Sequence, residues 1–333
     1  MMRTPLCREL GIEYPIFSVG MGSAAGPELA AAVSNAGGCG VLGGYGALAP
    51  YLRQEIQRLR TLTNKPFGVN LILPLLWEGQ IETCLDEKIP ILILFWGDPK
   101  PYIEEAHRRG TKVFVQVGSV EEAKAAAEAG VDAIIAQGVE AGGHVKSTIS
   151  LSTIVPAVVE AVKPLPVIAA GGIANGKGIV AALSLGAQAV SLGTRFLCST
   201  EAQVLPEYKE RVVKSKAEDT VYTSLFDLGW PDAPHRVLRN KALADWEGAD
   251  RPASGQRPGE GTIVGTLVRG GTTREVPKYS AAAPMIGFSG DMEYIALYAG
   301  ESCSLVNDIK PARQIVEDLV HEAEAVIEQM KRM

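Results

Sequence analysis

Eight short runs of Val, Ile, Leu and Ala recur at residues 14–18, 39–42, 67–71, 91–95, 112–117, 133–136, 166–170 and 189–192. Between them lie stretches of helical composition such as 27–36, 50–61, 120–129, 152–162 and 178–185. Parallel strands need a long crossover between them, usually a helix, so this rhythm specifies repeated βα units. Eight such units are the number that closes a barrel. The runs are almost continuously apolar, as parallel strands covered on both faces must be. Gly37, Gly110, Gly130 and Gly186 follow helical stretches in the place of C-caps. The expected fold is therefore α/β, a TIM (β/α)8 barrel.

The rhythm stops near residue 200. Residues 223–274 are rich in Gly, Pro, Arg and Asp without a period, which predicts an inserted irregular region or small lid after the eighth strand. At the end, 310–330 is again amphipathic and predicts a helix whose Ile315, Leu319, Val320 and Ile327 share a face docked on the barrel. The expected division is 1–222 with 301–333 as the barrel and 223–300 as the insertion.

A formal net charge of −6 argues against nucleic acid and anionic membranes, leaving a small-molecule partner. The longest apolar stretch, 89–96, contains Pro90 and is far below the roughly twenty residues that span a bilayer. With no apolar core of signal-peptide length at the start, the expected location is cytoplasmic. Cys7, Cys39, Cys84, Cys198 and Cys303 are odd in number and scattered, so they read as reduced thiols, with neither a disulfide framework nor a metal site.

Glycine makes up 36 of the 333 residues, about 11% against a usual value of about 7%, and its clusters locate the chemistry. PVIAAGGIANG at 166–176 and AVSLGTRF at 189–196 each run from a strand into glycine. In the barrel these are the loops after strands seven and eight, where backbone N–H groups commonly bind phosphate. Gly171, Gly172 and Gly193 allow close backbone approach, and the Thr194 hydroxyl adds a donor. QGVEAGGHVKS at 137–147 places His144 just past the sixth strand, on the face where barrel sites lie. His107, His235 and His321 have no such support and read as structural or exposed. GCGVLG at 38–43 fits G-x-G-x-x-G, but it follows a helix and contains a strand, the reverse of a dinucleotide-binding turn.

PIFSVGMG, SNAGGCGVLGG, KPFGVNL, QGVEAGGH, VIAAGGIANGKGIVAALSLGAQAV, LGTRF and YAGES, in that order, resemble the nitronate monooxygenase family, formerly the 2-nitropropane dioxygenases. The likeness runs through almost the whole chain and is shared in part with flavin-dependent enoyl-acyl-carrier-protein reductases. It implies an FMN-dependent barrel oxidoreductase. Carried onto this sequence, the flavin contacts fall on Met21, Gly22, Asn70, Gln137, Gly142 and Gly143. The phosphate contacts fall on Gly171, Gly172, Ser191, Leu192, Gly193 and Thr194. Many relatives have Gln at the position of Ser191, and the family's YAGQS reads YAGES here, with an acid at Glu301. Asn70 and Gln137 are amides able to donate and accept, as an isoalloxazine edge requires. His144 is the expected catalytic residue, orienting a nitronate or, for a neutral nitroalkane, removing the α-proton.

The reaction the resemblance implies is oxidation of alkyl nitronates by O2, giving carbonyl compounds and nitrite. Two alternatives stand beside it: an NAD(P)H-dependent flavin reductase of the enoyl-reductase type, and a barrel that binds flavin or phosphate without turnover. The pair Phe95-Trp96 and the stretch TSLFDLGWPDAPHRVLRN favour the nitronate enzymes. Trp96, Tyr45 and Met285 are candidate pocket walls. A homodimer is left open.

Overall fold

The computed structural model describes residues 2–269 and 272–332; Met1, Met333 and, within the 223–274 stretch, Gly270 and Gly271 lie outside the described residues. Eight parallel strands, Ile16–Ser18, Gly40–Gly43, Phe67–Ile72, Ile91–Phe95, Lys112–Val117, Ala133–Gln137, Val167–Ala170 and Ala189–Leu192, pair each with the next, and the eighth pairs with the first. The first and second meet at the Phe17–Cys39 bridge, where Cys39 N–H donates to the Ile16 carbonyl at 2.8 Å. The sheet is thus a closed TIM barrel, with strand positions within two residues of the sequence expectation.

Side chains alternate between two cores because successive strand residues point to opposite faces. Phe17, Val41, Ile93, Phe114, Ile135 and Ile168 fill the barrel interior. Leu42, Val69, Leu94, Val115, Ile134 and Leu192 face outward under the helices. Both faces being covered explains the unbroken apolar runs. One plug escaped the sequence reading. Helix Pro5–Leu10, capped by Thr4 accepting from Cys7 N–H, joins Leu6, Cys7 and Leu10 to the interior core. At six residues it is too short to show a helical period.

The stretch after the eighth strand is more regular than its composition suggests. His235–Leu238 pairs antiparallel with Thr220–Thr223 on one side and with Gly143–His144 on the other. Helix Lys241–Gly248 follows, capped by Asn240, and Ile263–Arg269 forms a hairpin with Thr272–Pro277. The signal was hidden for a physical reason. His235 finds its strand partner His144 about ninety residues away, and Thr272, Thr273, Arg274 and Glu275 are all exposed, so no apolar alternation marks them. The terminal helix Ala312–Met330 buries Ile315, Leu319 and Val320 as expected and packs on helices Gly176–Ser184 and Pro27–Asn35. Ile327 is only half-buried. Among the described residues no helix is long and apolar enough to cross a membrane. All five cysteines are buried and unpaired.

Candidate active site

A cavity of about 630 Å³ opens at the C-terminal ends of the strands. Met21, Gly22, Asn70, Gln137, Gly142, Gly143, His144, Gly171, Gly172, Ser191, Gly193 and Thr194 all line it. Leu192 does not: the alternation that turns Ser191 inward turns Leu192 into the outer core. Tyr45 and Met285 are wall residues as expected, whereas Trp96 stands outside the lining. Hairpin residues Leu267, Thr272 and Arg274 also border the cavity, so the segment after the eighth strand reaches the site.

His144 is held in an aromatic nest. Its ring stacks on Trp230 at 4.0 Å and 30°, with Tyr298 at 5.4 Å and the edge of Trp96 at 6.5 Å. Trp96 closes the far side, edge-on to Trp230 at 5.1 Å. His144 Nε2 is enclosed and has no hydrogen-bond partner among the described residues. Burial, and then the neighbouring His235, push its pKa from 6.5 down to about 3. The imidazole is therefore neutral at ordinary pH, and the protonated form is not its resting state. His235 is fully buried, with Nδ1 2.9 Å from the Ala233 carbonyl and Nε2 accepting from Phe226 N–H. Both nitrogens are used, so His235 is structural. His107 pairs at the surface with Asp132, and His321 is exposed on the last helix.

The two expected amides have different duties. Gln137 Nε2 donates to the His144 carbonyl at 3.0 Å while its Oε1 accepts from Lys146 N–H at 3.2 Å. Its carboxamide is thus spent largely on the histidine loop. Asn70 donates from Nδ2 to the Ile93 carbonyl and lines the cavity; a Cβ at Gly20 would lie 2.4 Å from Asn70 Cβ, which is why the first loop needs glycine there. Glu301 is assigned as well: it pairs with Arg236 at 3.1 Å, and its N–H donates to the Glu140 carbonyl. Arg236 also donates to the Val139 carbonyl and to Thr220. YAGES thereby braces the histidine loop from behind.

At the strand-seven and strand-eight end, Gly171 and Gly172 adopt φ of 101° and 69°, a conformation that favours glycine. Thr194 Oγ1 accepts from Gly300 N–H at 3.0 Å, leaving its proton free to donate into the cavity. Helix Gly176–Ser184 is less available than position suggests. Its first N–H groups are taken by Asn175 and by Glu322, whose carboxylate accepts from Gly176 N–H at 2.9 Å. The Gly171-Gly172 turn and the start of helix Thr194–Leu197, rather than helix Gly176–Ser184, are thus the candidate places for an anion. Together with a cavity of this size, these places fit a phosphorylated ring cofactor.

Residues 3–76 and 74–322 match the nitronate monooxygenase family model. The chain belongs to the nitronate monooxygenase family. A Staphylococcus aureus protein described as a probable nitronate monooxygenase is 30% identical, over 97% of this chain and 98% of its own. A Mycobacterium tuberculosis protein, named (3aS,4S,5R,7aS)-5-hydroxy-7a-methyl-1-oxo-octahydro-1H-indene-4-carboxyl-CoA dehydrogenase, is 31% identical over 97% and 96%. Among solved structures, FabK from Thermotoga maritima is 35% identical with a TM-score of 0.80, covering 99% and 98% of the two chains. Nitroalkane oxidase from Streptomyces ansochromogenes is 29% identical with a TM-score of 0.78, covering 98% and 99%. The chain is thus an oxidoreductase of this flavin-dependent superfamily.

Trp230 and Gln116 are among the lining residues missed from sequence. Trp230 lies in irregular-looking chain, and only the fold brings it to His144. Gln116 did carry a signal, as the one uncharged polar residue within KVFVQV, at the inward parity of Phe114.

Proposed function

We propose that this protein binds FMN and oxidises alkyl nitronates with O2 to carbonyl compounds and nitrite. The observation that carries the reading is His144, held in its aromatic nest, lining a cavity that the Gly171-Gly172 and Gly193-Thr194 turns border on the other side. Gly171, Gly172, Gly193 and Thr194 would hold the phosphate, and Met21, Gly22 and Asn70 would approach the ring. When bound, the flavin supplies the electron-accepting chemistry, and the protein supplies position and field.

A nitronate arrives with its α-proton already gone, so the site needs a hydrogen-bonding orienter more than a base. A neutral imidazole can donate one N–H to a nitro oxygen. Its low pKa makes it a poor base toward a neutral nitroalkane, so the nitronate is the better substrate. Trp230 and Trp96 fix the ring plane by stacking and edge contact. Both come from the features that separate the nitronate enzymes from the reductases in sequence, and they converge on His144.

The second reading, an NAD(P)H-dependent reductase, is favoured by the higher identity to FabK than to nitroalkane oxidase. Oxygen uptake on adding propionate 3-nitronate or ethylnitronate, beside anaerobic flavin reduction by NADPH, decides between them. Nitronate-dependent uptake is the expected result. Fast reduction by NADPH without that uptake would establish the reductase, and a purified protein lacking the yellow flavin spectrum would remove both.

A further inference from the structure

We propose that Trp230 is the specificity-determining residue of this site: by closing His144 Nε2 off from water it keeps the imidazole from serving as a base, and so restricts the site to nitronates over neutral nitroalkanes. This rests on the nitronate reading above and names the residue behind its choice of substrate.

A neutral nitroalkane must first lose its α-proton. The C–H bond breaks, the proton passes to the imidazole, and the electron pair moves into the nitro group to give the nitronate. The imidazolium so formed carries a proton on both ring nitrogens, and each needs an acceptor. His144 Nε2 is enclosed and has no hydrogen-bond partner among the described residues. The nearest ring around it is Trp230, stacked at 4.0 Å. An indole face attracts a cation but offers the N–H no acceptor, and a charge enclosed without hydrogen bonds is the costly case. Burial is accordingly the largest cause of the low pKa of His144.

Among the described residues, the titratable groups packed around the ring are otherwise engaged. His235, the strand partner of His144 with its ring at 5.4 Å, uses both nitrogens on the Ala233 carbonyl and Phe226 N–H. The Tyr298 hydroxyl donates to the Ala281 carbonyl, and that of Tyr222 to the Val145 carbonyl. Lys146 lies over Trp96 and pairs with Glu122, while Arg236 is held by Glu301 and the Val139 carbonyl.

The position of Trp230 is built into its loop. Trp230 N–H donates to the Asp227 carbonyl at 3.0 Å, Leu228 N–H donates to the Tyr279 carbonyl, and the Leu228 carbonyl accepts from Ala281 N–H. Buried Arg257 grips the Asp227 carboxylate at 2.7 Å. The indole is 5% exposed and also lines the cavity, so shortening it joins the enclosure of the histidine to the cavity and admits water to Nε2.

The test uses flavin-loaded, full-length protein labelled with 15N-histidine, with His144→Ala identifying the resonance. In the parent, His144 should stay neutral down to about pH 5, whereas in W230S it should titrate above that pH. The ratio of kcat/KM for freshly dissolved nitroethane to that for ethylnitronate should rise at least about tenfold in W230S. W230F, which keeps a ring over the imidazole, should restore the parent titration and ratio. Should W230S fail to fold, W230Q carries the same readouts. A His144 that stays untitrated in W230S and W230Q, a titration that returns without a change in the substrate ratio, or a W230F that shifts as far as W230S would overturn the assignment while leaving the nitronate reading intact. A parent protein without nitronate-dependent oxygen uptake would overturn that reading first, and this assignment with it.

Discussion

His144 shows how a single residue's surroundings set its chemistry. Desolvation holds it neutral down to about pH 3, so kcat/KM should show no inflection near the ordinary histidine value of about 6.5. A bell limb there, abolished in His144→Ala, would contradict this. The same variant should keep FMN bound and lose most nitronate turnover, measured as oxygen uptake per flavin. Stability follows from linkage. The folded pKa lies below the unfolded one, so below about pH 6.5 the unfolded state binds the extra proton. The stability this group contributes is complete above that pH and falls as pH drops toward about 3. Buried His235 is shifted in the same direction. Urea midpoints at pH 7.5 and pH 5 should therefore differ, with a smaller gap in His144→Asn. The sequence placed His144 at the mouth, but its protonation state depends on Trp230, His235 and Tyr298, none of them near it in the chain.

Between elements, close backbone contact is the controlling term. A Cβ at Gly142 would lie 2.3 Å from Gly300 N and 2.5 Å from the Ala299 carbonyl carbon. Gly142→Ala should therefore separate the histidine loop from YAGES, costing about 1–3 kcal/mol by urea unfolding and lowering activity. Neighbouring Gly143 has open space but φ of 78°, so Gly143→Ala should cost about 1–2 kcal/mol through dihedral strain alone. For Glu301, 38% exposed in its pair with Arg236, the expectation is mild. Glu301→Gln should change stability by less than about 1 kcal/mol, because solvent screens the pair and Arg236 keeps its bonds to Val139 and Thr220. Both glycines were visible in sequence as a cluster, but the distinction between them was not. Steric exclusion depends on what the fold places opposite each one.

Over the whole molecule, the barrel separates stability at one end from chemistry at the other. Helix Pro5–Leu10 seals the N-terminal end, with Leu6 only 1% exposed. Leu6→Ala should cost about 2–5 kcal/mol in urea unfolding with FMN affinity and kcat unchanged. A parallel loss of flavin would show the two ends to be coupled. The barrel itself was legible from the sequence, because burial on both faces forces eight apolar runs, helices must join parallel strands, and glycine marks the turns. The position of the cavity followed, since strand direction fixes which ends the βα loops occupy. Parity along a strand, applied with care, would have excluded Leu192 and brought in Gln116. The regular structure after residue 220 was not legible, because its strands find partners far along the chain or face solvent. Only tertiary structure decided that Gln137 is clamped to the histidine loop, that Trp230 covers His144, and that the histidine is uncharged. A hydrogen-bond partner or a desolvating neighbour is a property of approach in space, which local period and composition do not encode.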